Sequence, residues 1–254
     1  MKLLVLGHKG MLGSSLVKFY HKYDVCITEY RWPSVKFKDV IRDFDGDLVI
    51  NCIGAIPQKK QDFTINYDLP QFIVENLNPN IKYIHPDTDC VFDGQIKEGE
   101  QYSKNQPTNA MEEYGISKSS IMRLYGRPNL KIIRTSIIGI DEYGKSLLSW
   151  FLCQKEYVNG YINHYWNGAT TIQWAKISKI IFENWDNYEH ITQVGTTPIS
   201  KYDLLCLIRA VFGKQIKIVK TKHTRDINRC LQSDFEIPHI KDQLNELRKI
   251  YKNE

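Results

Sequence analysis

Within its first fourteen residues the chain places a glycine at every third position, just where an apolar run must stop being a strand: LVLGHKGMLGSS carries Gly7, Gly10 and Gly13. Gly7 permits a tight exit from the strand, Gly10 lets a backbone come close to a pyrophosphate, and Gly13 permits close packing of helix on strand. Backbone amides and the helix dipole then face phosphate without needing a basic side chain. Lys9, Met11 and Leu12 complete this turn as cofactor-facing positions. The spacing is GxxGxxG rather than GxGxxG, so a purely structural turn stays open on these residues alone.

The pattern that follows alternates. Residues 2–6, 24–28, 47–53, 81–85, 130–135 and 191–194 read as strands, and 11–20, 70–77, 114–125 and 172–184 as helices, which is the rhythm of a parallel sheet covered on both faces. Ligands on such sheets collect at the carboxyl ends of the strands. Gly7, the stretch Asn51, Cys52, Ile53, Gly54, Ala55, and the segment Asp87 to Asp89 all fall at such ends. The expected fold is therefore α/β: a Rossmann-like parallel sheet with helices on both faces and a smaller C-terminal substrate-binding lobe. Residues 1–140 form its NAD(P)-binding domain, completed by about 172–195, and 141–171 with 196–254 form the lobe. In the lobe, GYINHYWNGAT (160–170) is either a packed loop or a substrate-facing segment, and Ser200 is placed to cap a helix running through Val211.

Composition sets outer bounds. Of 254 residues, 42% are apolar and 25% charged, which supports a buried core and excludes a disordered chain. The net charge of +5 comes from 34 basic and 29 acidic residues scattered without a basic block; it suits an anionic small molecule better than nucleic acid. Six cysteines, Cys26, Cys52, Cys90, Cys153, Cys206 and Cys230, form no CxxC and read as reduced core residues. No apolar run approaches a membrane span, and the chain enters its first strand at once, so a cytoplasmic protein without membrane contact is expected.

The chemistry-bearing candidates follow the strands. Tyr114 and Lys118 in YGISK lie four apart, on one face of a helix. An ammonium beside a phenol favours phenolate and can hold a ribose, while the phenol can protonate an alkoxide. Thr88, in HPDTDCVFDG, can orient a reacting carbonyl; Asp87 and Asp89 either stabilise the turn or recruit a metal, for which no further ligands are evident. Asn66 fixes a local turn or supports the lysine through water. After the second strand Glu29 suits an adenosine ribose diol and Arg31 an additional phosphate, so NADPH and NADH both remain candidates, with a slight lean to NADPH. His85, His164 and His223 have no metal spacing, no metal is expected, and the hydrolase elbow GxSxG is absent. Lys222, Arg225 and Arg229 are weaker candidates for a nucleotide, with a solvated basic surface as the other reading.

Seven motifs occur in order: GHKGMLG, NCIGA, INYDLP, DTDCVFDG, YGISK, RTSIIG and WNGAT. With them the chain resembles the extended short-chain dehydrogenase/reductases, and among these the dTDP-4-dehydrorhamnose reductases and related nucleotide-sugar 4-ketoreductases. The resemblance implies NAD(P)H, a nucleotide-sugar substrate, and a catalytic set in which Thr88 positions the carbonyl, Tyr114 supplies the proton and Lys118 supports tyrosine and cofactor. It further implies that Asp89, Arg134, Ser136, Trp166 and Asn167 lie toward the substrate, with Thr170 near the sugar or the cofactor amide. Asp87 stands where the family more usually has serine, and Cys90 where it has an aromatic residue, which leaves the sugar open. A nucleotide-sugar 4-epimerase that retains its dinucleotide and a noncatalytic dinucleotide-binding regulatory subunit remain as alternatives. A second copy of the chain, in a homodimer, is the one protein partner kept in view.

Overall fold

The computed structural model describes residues 1–58 and 62–252. Its first half alternates strand and helix: β1 (Lys2–Leu6), α1 (Met11–Phe19), β2 (Asp24–Ile27), α2 (Val35–Arg42), β3 (Leu48–Asn51), α3 (Ile65–Asn76), β4 (Lys82–Asp87), α4 (Glu113–Ser119) and β5 (Leu130–Arg134). After β6 (Ile137–Ile138) come α5 (Leu147–Cys153), β7 (Tyr157–Tyr161), β8 (His164–Trp166), β9 (Ala169–Thr170), α6 (Thr171–Glu183) and β10 (Ile191–Gln193). The chain continues through β11 (Ile199–Ser200), α7 (Lys201–Phe212), β12 (Lys217–Thr221), β13 (Ile227–Asn228) and α8 (Ile240–Lys252).

Six strands form one parallel sheet in the order β10-β5-β4-β3-β1-β2. The order reverses between β1 and β3, and a ligand crevice opens at such a switch point, beyond the carboxyl ends of the strands. Gly7 and Cys52 flank it. One face of the sheet packs Leu3, Val5, Ile50, Ile84 and Ile133 against Leu16 of α1 and Trp174 and Ile177 of α6. The other packs Leu4, Leu6, Val49, Tyr83 and Ile132 against Phe37 of α2 and Leu69 and Ile73 of α3. Alternate residues of each strand thus feed two cores, the pattern of a doubly covered Rossmann-like sheet.

A third core joins α5, α7 and α8 to β7, β8 and β12 through Phe151, Val158, Trp166, Leu204, Ile208, Ile218, Leu244 and Leu247. GYINHYWNGAT lies in β7, β8, β9 and the turns between them rather than in a loop. Ser200 caps α7 as expected, its hydroxyl accepting the Asp203 N–H at 3.0 Å. The helix expected over 114–125 divides: α4 ends at Ser119 and a tighter helical turn spans Ser120–Leu124. The hydroxyls of Ser119 and Ser120 donate to the carbonyls of Gly115 and Ser117, back-bonding that loosens an α-helix at this point. All six cysteines are free, but Cys153 is exposed rather than in the core. Among the described residues no helix is long and apolar enough to cross a membrane.

Candidate active site

The glycine turn is built by backbone contact. Gly7 adopts φ +80, a conformation that L side chains rarely take, and a Cβ on Gly13 would lie 2.2 Å from the Gly7 carbonyl oxygen. Gly10 begins α1 as its N-cap without any side-chain cap, so the first amides of the helix stay open to an anion. The adjoining stretch is fixed from below. Asn51 accepts the Ile53 N–H at 3.0 Å, and the Asn66 amide bonds both polar groups of Ala55, at 2.7 and 3.1 Å, and the Ser117 hydroxyl at 2.9 Å. Asn66 therefore ties the end of β3 to α4 by long-range bonds rather than fixing its own local turn.

At the outer edge of the turn Glu29 pairs with Lys9 at 2.6 Å and His8 at 3.2 Å, and the bond to Lys9 holds its carboxyl below the usual value. Arg31 is exposed two residues on. An acceptor for a ribose diol and cations for an extra phosphate thus stand side by side.

Helix α4 lies against the segment after β4. A Cβ on Gly115 would sit 2.0 Å from the Cys90 carbonyl oxygen, so this glycine allows Tyr114 to reach Thr88. Thr88 accepts the Cys90 N–H at 3.2 Å and donates to Asp89 at 3.1 Å. Burial pushes the Tyr114 phenol above its ordinary value, with the thiol of Cys90 in the same direction, and a hydrogen bond with Thr88 partly opposes them. Tyr114 is therefore a protonated phenol at neutral pH, suited to giving a proton. Lys118, one helical turn after Tyr114, is anchored from beneath. Its ammonium is turned under the site, donating to the Pro86 carbonyl at 2.9 Å and lying 3.1 Å from His85 Nε2.

The facing wall comes from the last third of the chain. Burial lowers the Lys201 ammonium, opposed chiefly by the nearby Asp89 carboxylate, and the ammonium lies 5.7 Å from the Trp166 ring centroid. Arg229 donates to the Phe92 carbonyl at 2.9 Å and to Glu112 at 3.2 Å, and its guanidinium reaches the Cys90 sulfur at 3.8 Å. Burial in turn pushes the Asp89 carboxyl up, opposed by Lys201 and Arg229. The loop after Thr88 and the segment carrying Arg229 are held together by the bond of Asn228 N–H to the Gly94 carbonyl at 2.9 Å and of Tyr102 N–H to the Cys230 carbonyl at 2.8 Å.

Four of the substrate-side candidates are engaged by partners within the chain itself. Arg134 is 1% exposed and paired with Asp87 at 2.8 Å beneath the strand ends, because the two residues are register partners in β5 and β4; it supports the wall rather than lining it. Asn167 is 4% exposed and spends its amide on the backbone of Leu231, at 2.8 and 3.0 Å. Ser136 receives the Trp166 indole N–H at 2.9 Å, which fixes that ring beside Lys201. Thr170 is buried as the N-cap of α6. Of the basic trio only Arg229 joins the cleft. Lys222 lines a separate groove of about 520 Å³ with Tyr165 and Asp226, while Arg225 lends its carbonyl to Asn163 and His164. Lys201 was not singled out in the sequence; the only signal was its place directly after a capping serine. Among the described residues no three of His, Cys, Asp and Glu are grouped to hold a metal ion, and Asp87 is committed to Arg134.

The family model of the RmlD substrate binding domain matches residues 1–159. No curated protein matches the sequence significantly. Among solved structures, the chain is similar to a dTDP-4-dehydrorhamnose reductase from Clostridium acetobutylicum, at 16% identity and TM-score 0.77, covering 99% of this chain and 100% of that one. It is also similar to a dTDP-4-dehydrorhamnose reductase from Bacillus anthracis solved in complex with NADP, at 13% identity and TM-score 0.76, covering 98% of each chain. A UDP-glucuronic acid 4-epimerase from Bacillus cereus, in complex with NAD and UDP-4-deoxy-4-fluoro-glucuronic acid, superposes at 16% identity and TM-score 0.76 over 100% of both chains. At these identities the likenesses establish the fold.

Proposed function

The chain belongs to the RmlD substrate binding domain family, and on that premise we propose that it is an NAD(P)H-dependent reductase of a 4-keto-6-deoxy nucleotide sugar. The observation that carries this reading is the close packing of α4, which bears Tyr114, on the backbone next to Thr88, beside a glycine cradle that a Cβ would fill, at the carboxyl edge of a parallel sheet. The open amides at the start of α1 fit a pyrophosphate, the Asn51 to Ala55 stretch would flank the dinucleotide, and Glu29, Lys9 and Arg31 would meet the adenosine ribose. When bound, the reduced nicotinamide supplies the hydride. The same reading divides the chain near residue 140 into a dinucleotide-binding part, completed by about 172–195, and a substrate-binding lobe.

Tyr114, kept protonated by burial, gives its phenolic proton to the C4 oxygen of the sugar as that oxygen becomes an alkoxide. The Thr88 hydroxyl turns from Asp89 to the same oxygen and fixes its approach. Lys118 holds a ribose hydroxyl and supports the return of a proton to Tyr114. Lys201 and Arg229 bring two cations beside half-buried Asp89, with Glu112 paired to Arg229 at the exposed edge, and these are the groups that would meet an anionic nucleotide sugar. Trp166, 3% exposed in the third core, backs Lys201 from behind.

A matched assay with NADPH or NADH and a panel of 4-keto-6-deoxy nucleotide sugars tests the reading. Cofactor oxidation equal to reduced sugar formed is the expected result. Interconversion of C4 epimers without net cofactor oxidation would replace it with an epimerase, and cofactor binding with no turnover on any member of the panel would replace it with a regulatory role.

A further inference from the structure

Strand β4 carries a polar file where a core strand usually carries hydrocarbon. Tyr83, His85 and Asp87 share one face by strand alternation and are 0, 1 and 2% exposed. Asp87 is committed to Arg134. The other two form a buried chain that the reaction as described does not use: Tyr83 Oη lies 2.8 Å from His85 Nδ1, and His85 Nε2 lies 3.1 Å from Lys118 Nζ.

Pro86 belongs to this arrangement. A proline inside a central strand normally forfeits a ladder bond. Here the pairing with β3 ends at Ile84, while the next carbonyl, that of Asp87, takes the Thr135 N–H beyond β5. Polar groups of successive strand residues point to opposite sides, so Pro86 faces the side that β3 has left, where its ring costs no ladder bond and its carbonyl is free for Lys118. Hydrogen roles follow from donor inventory. An ammonium only donates, so His85 Nε2 accepts, its proton resides on Nδ1, and that N–H donates to Tyr83 Oη.

We propose that His85 is a positioning residue for Lys118: its neutral imidazole and the Pro86 carbonyl take two of the three ammonium hydrogens and leave the third for the cleft. The role assigned to that third hydrogen rests on the reductase reading; the grip itself does not. Burial holds His85 well below its ordinary value, with the Lys118 charge adding to it, so the ring stays an acceptor. Burial also lowers Lys118, resisted by Asp87 and Cys52; these two, with His85, Tyr83 and the Arg134 that pairs with Asp87, are the titratable and charged groups around it. A neutral acceptor satisfies the ammonium without cancelling its charge, which a carboxylate at the same place would do.

The test follows Lys118 directly, by NMR titration of its side chain in the full-length protein labelled at lysine, with the signal assigned by its loss in Lys118→Arg. His85→Leu removes the acceptor and should lower the Lys118 titration by about one pH unit or more, whereas His85→Gln, whose amide oxygen reaches a similar place, should restore most of it. Tyr83→Phe should shift it the same way by less. The alkaline limb of kcat should move in step with these shifts. A folded His85→Leu protein in which Lys118 titrates as in the wild type would overturn the proposal, as would a His85→Gln protein that behaves like His85→Leu; should the leucine variant fail to fold, His85→Phe, a ring without an acceptor, is titrated in its place, a lowered Lys118 supporting the proposal and an unshifted one overturning it. A Lys118 titration that depends on His85 in a wild-type protein with no ketoreductase turnover would uphold the grip and reject the reductase reading.

Discussion

On the sheet side of the cleft backbone meets backbone with no room between, whereas on the lobe side charged side chains from distant segments converge. A Cβ at Gly13 or Gly115 would stand 2.2 or 2.0 Å from a carbonyl oxygen. On the lobe side Lys201 and Arg229 stand beside Asp89, more than a hundred positions earlier in the chain, through charge, and Arg229 bonds the Phe92 carbonyl directly. Rigid contact of the first kind fixes where a proton donor stands relative to a strand end. Adjustable contact of the second kind sets which substrate the donor meets. The sheet side should therefore carry rate and the lobe side sugar selection.

The largest separation between the two sides should come from Tyr114→Phe, which removes the proposed proton donor. A fall in kcat of about 10²- to 10⁴-fold is expected with dinucleotide affinity unchanged in a binding titration. Because the phenol is raised above 10, phenol ionisation should cause no loss of wild-type activity below pH 10. Next, Gly115→Ala forces α4 away from Cys90; a destabilisation of about 1–3 kcal/mol in chemical denaturation should accompany a kcat loss that no sugar concentration repairs. Lys201→Met breaks the other wall. It should raise KM for the sugar nucleotide by about 10- to 100-fold and leave cofactor affinity as it was; a fall in kcat alone would erase the proposed division. The smallest effect belongs to the edge of the turn, where Glu29→Gln frees Lys9 and should shift the NADPH-to-NADH preference toward NADPH by about two- to fivefold.

The same contrast explains what could be read from the residues. The turn at Gly7 to Gly13, the presence of the six sheet strands and the YGISK turn of helix were legible because local spacing dictates them; the close approaches at Gly13 and Gly115 each require a glycine at a fixed offset. Strand β4 runs two residues past the expected stop at His85, since Pro86 breaks a pattern but not a pairing once β3 has ended. Strands as short as β8 and β13 carry too few residues for alternation to show. Helix α8 did leave a signal in Ile240, Leu244 and Leu247, spaced four and three apart, among otherwise polar neighbours. Lys201 left almost none, because a cation at the start of a helix acquires its meaning only when β8 and the Thr88 loop fold against it. Arg134 and Asn167 sit in motifs that pointed to the cleft, yet each is spent on a buried partner.

The most direct measurement of the central claim is hydride tracing with NADPH carrying deuterium at the transferable position of C4, the sugar product being weighed by mass spectrometry beside that of Tyr114→Phe. One deuterium retained at sugar C4 for each cofactor oxidised, with the label all but absent from the variant's product in the same time, is the result expected of a reductase whose proton donor is Tyr114. Sugar turned over with no net cofactor oxidation, or equal labelling by the variant, would contradict it.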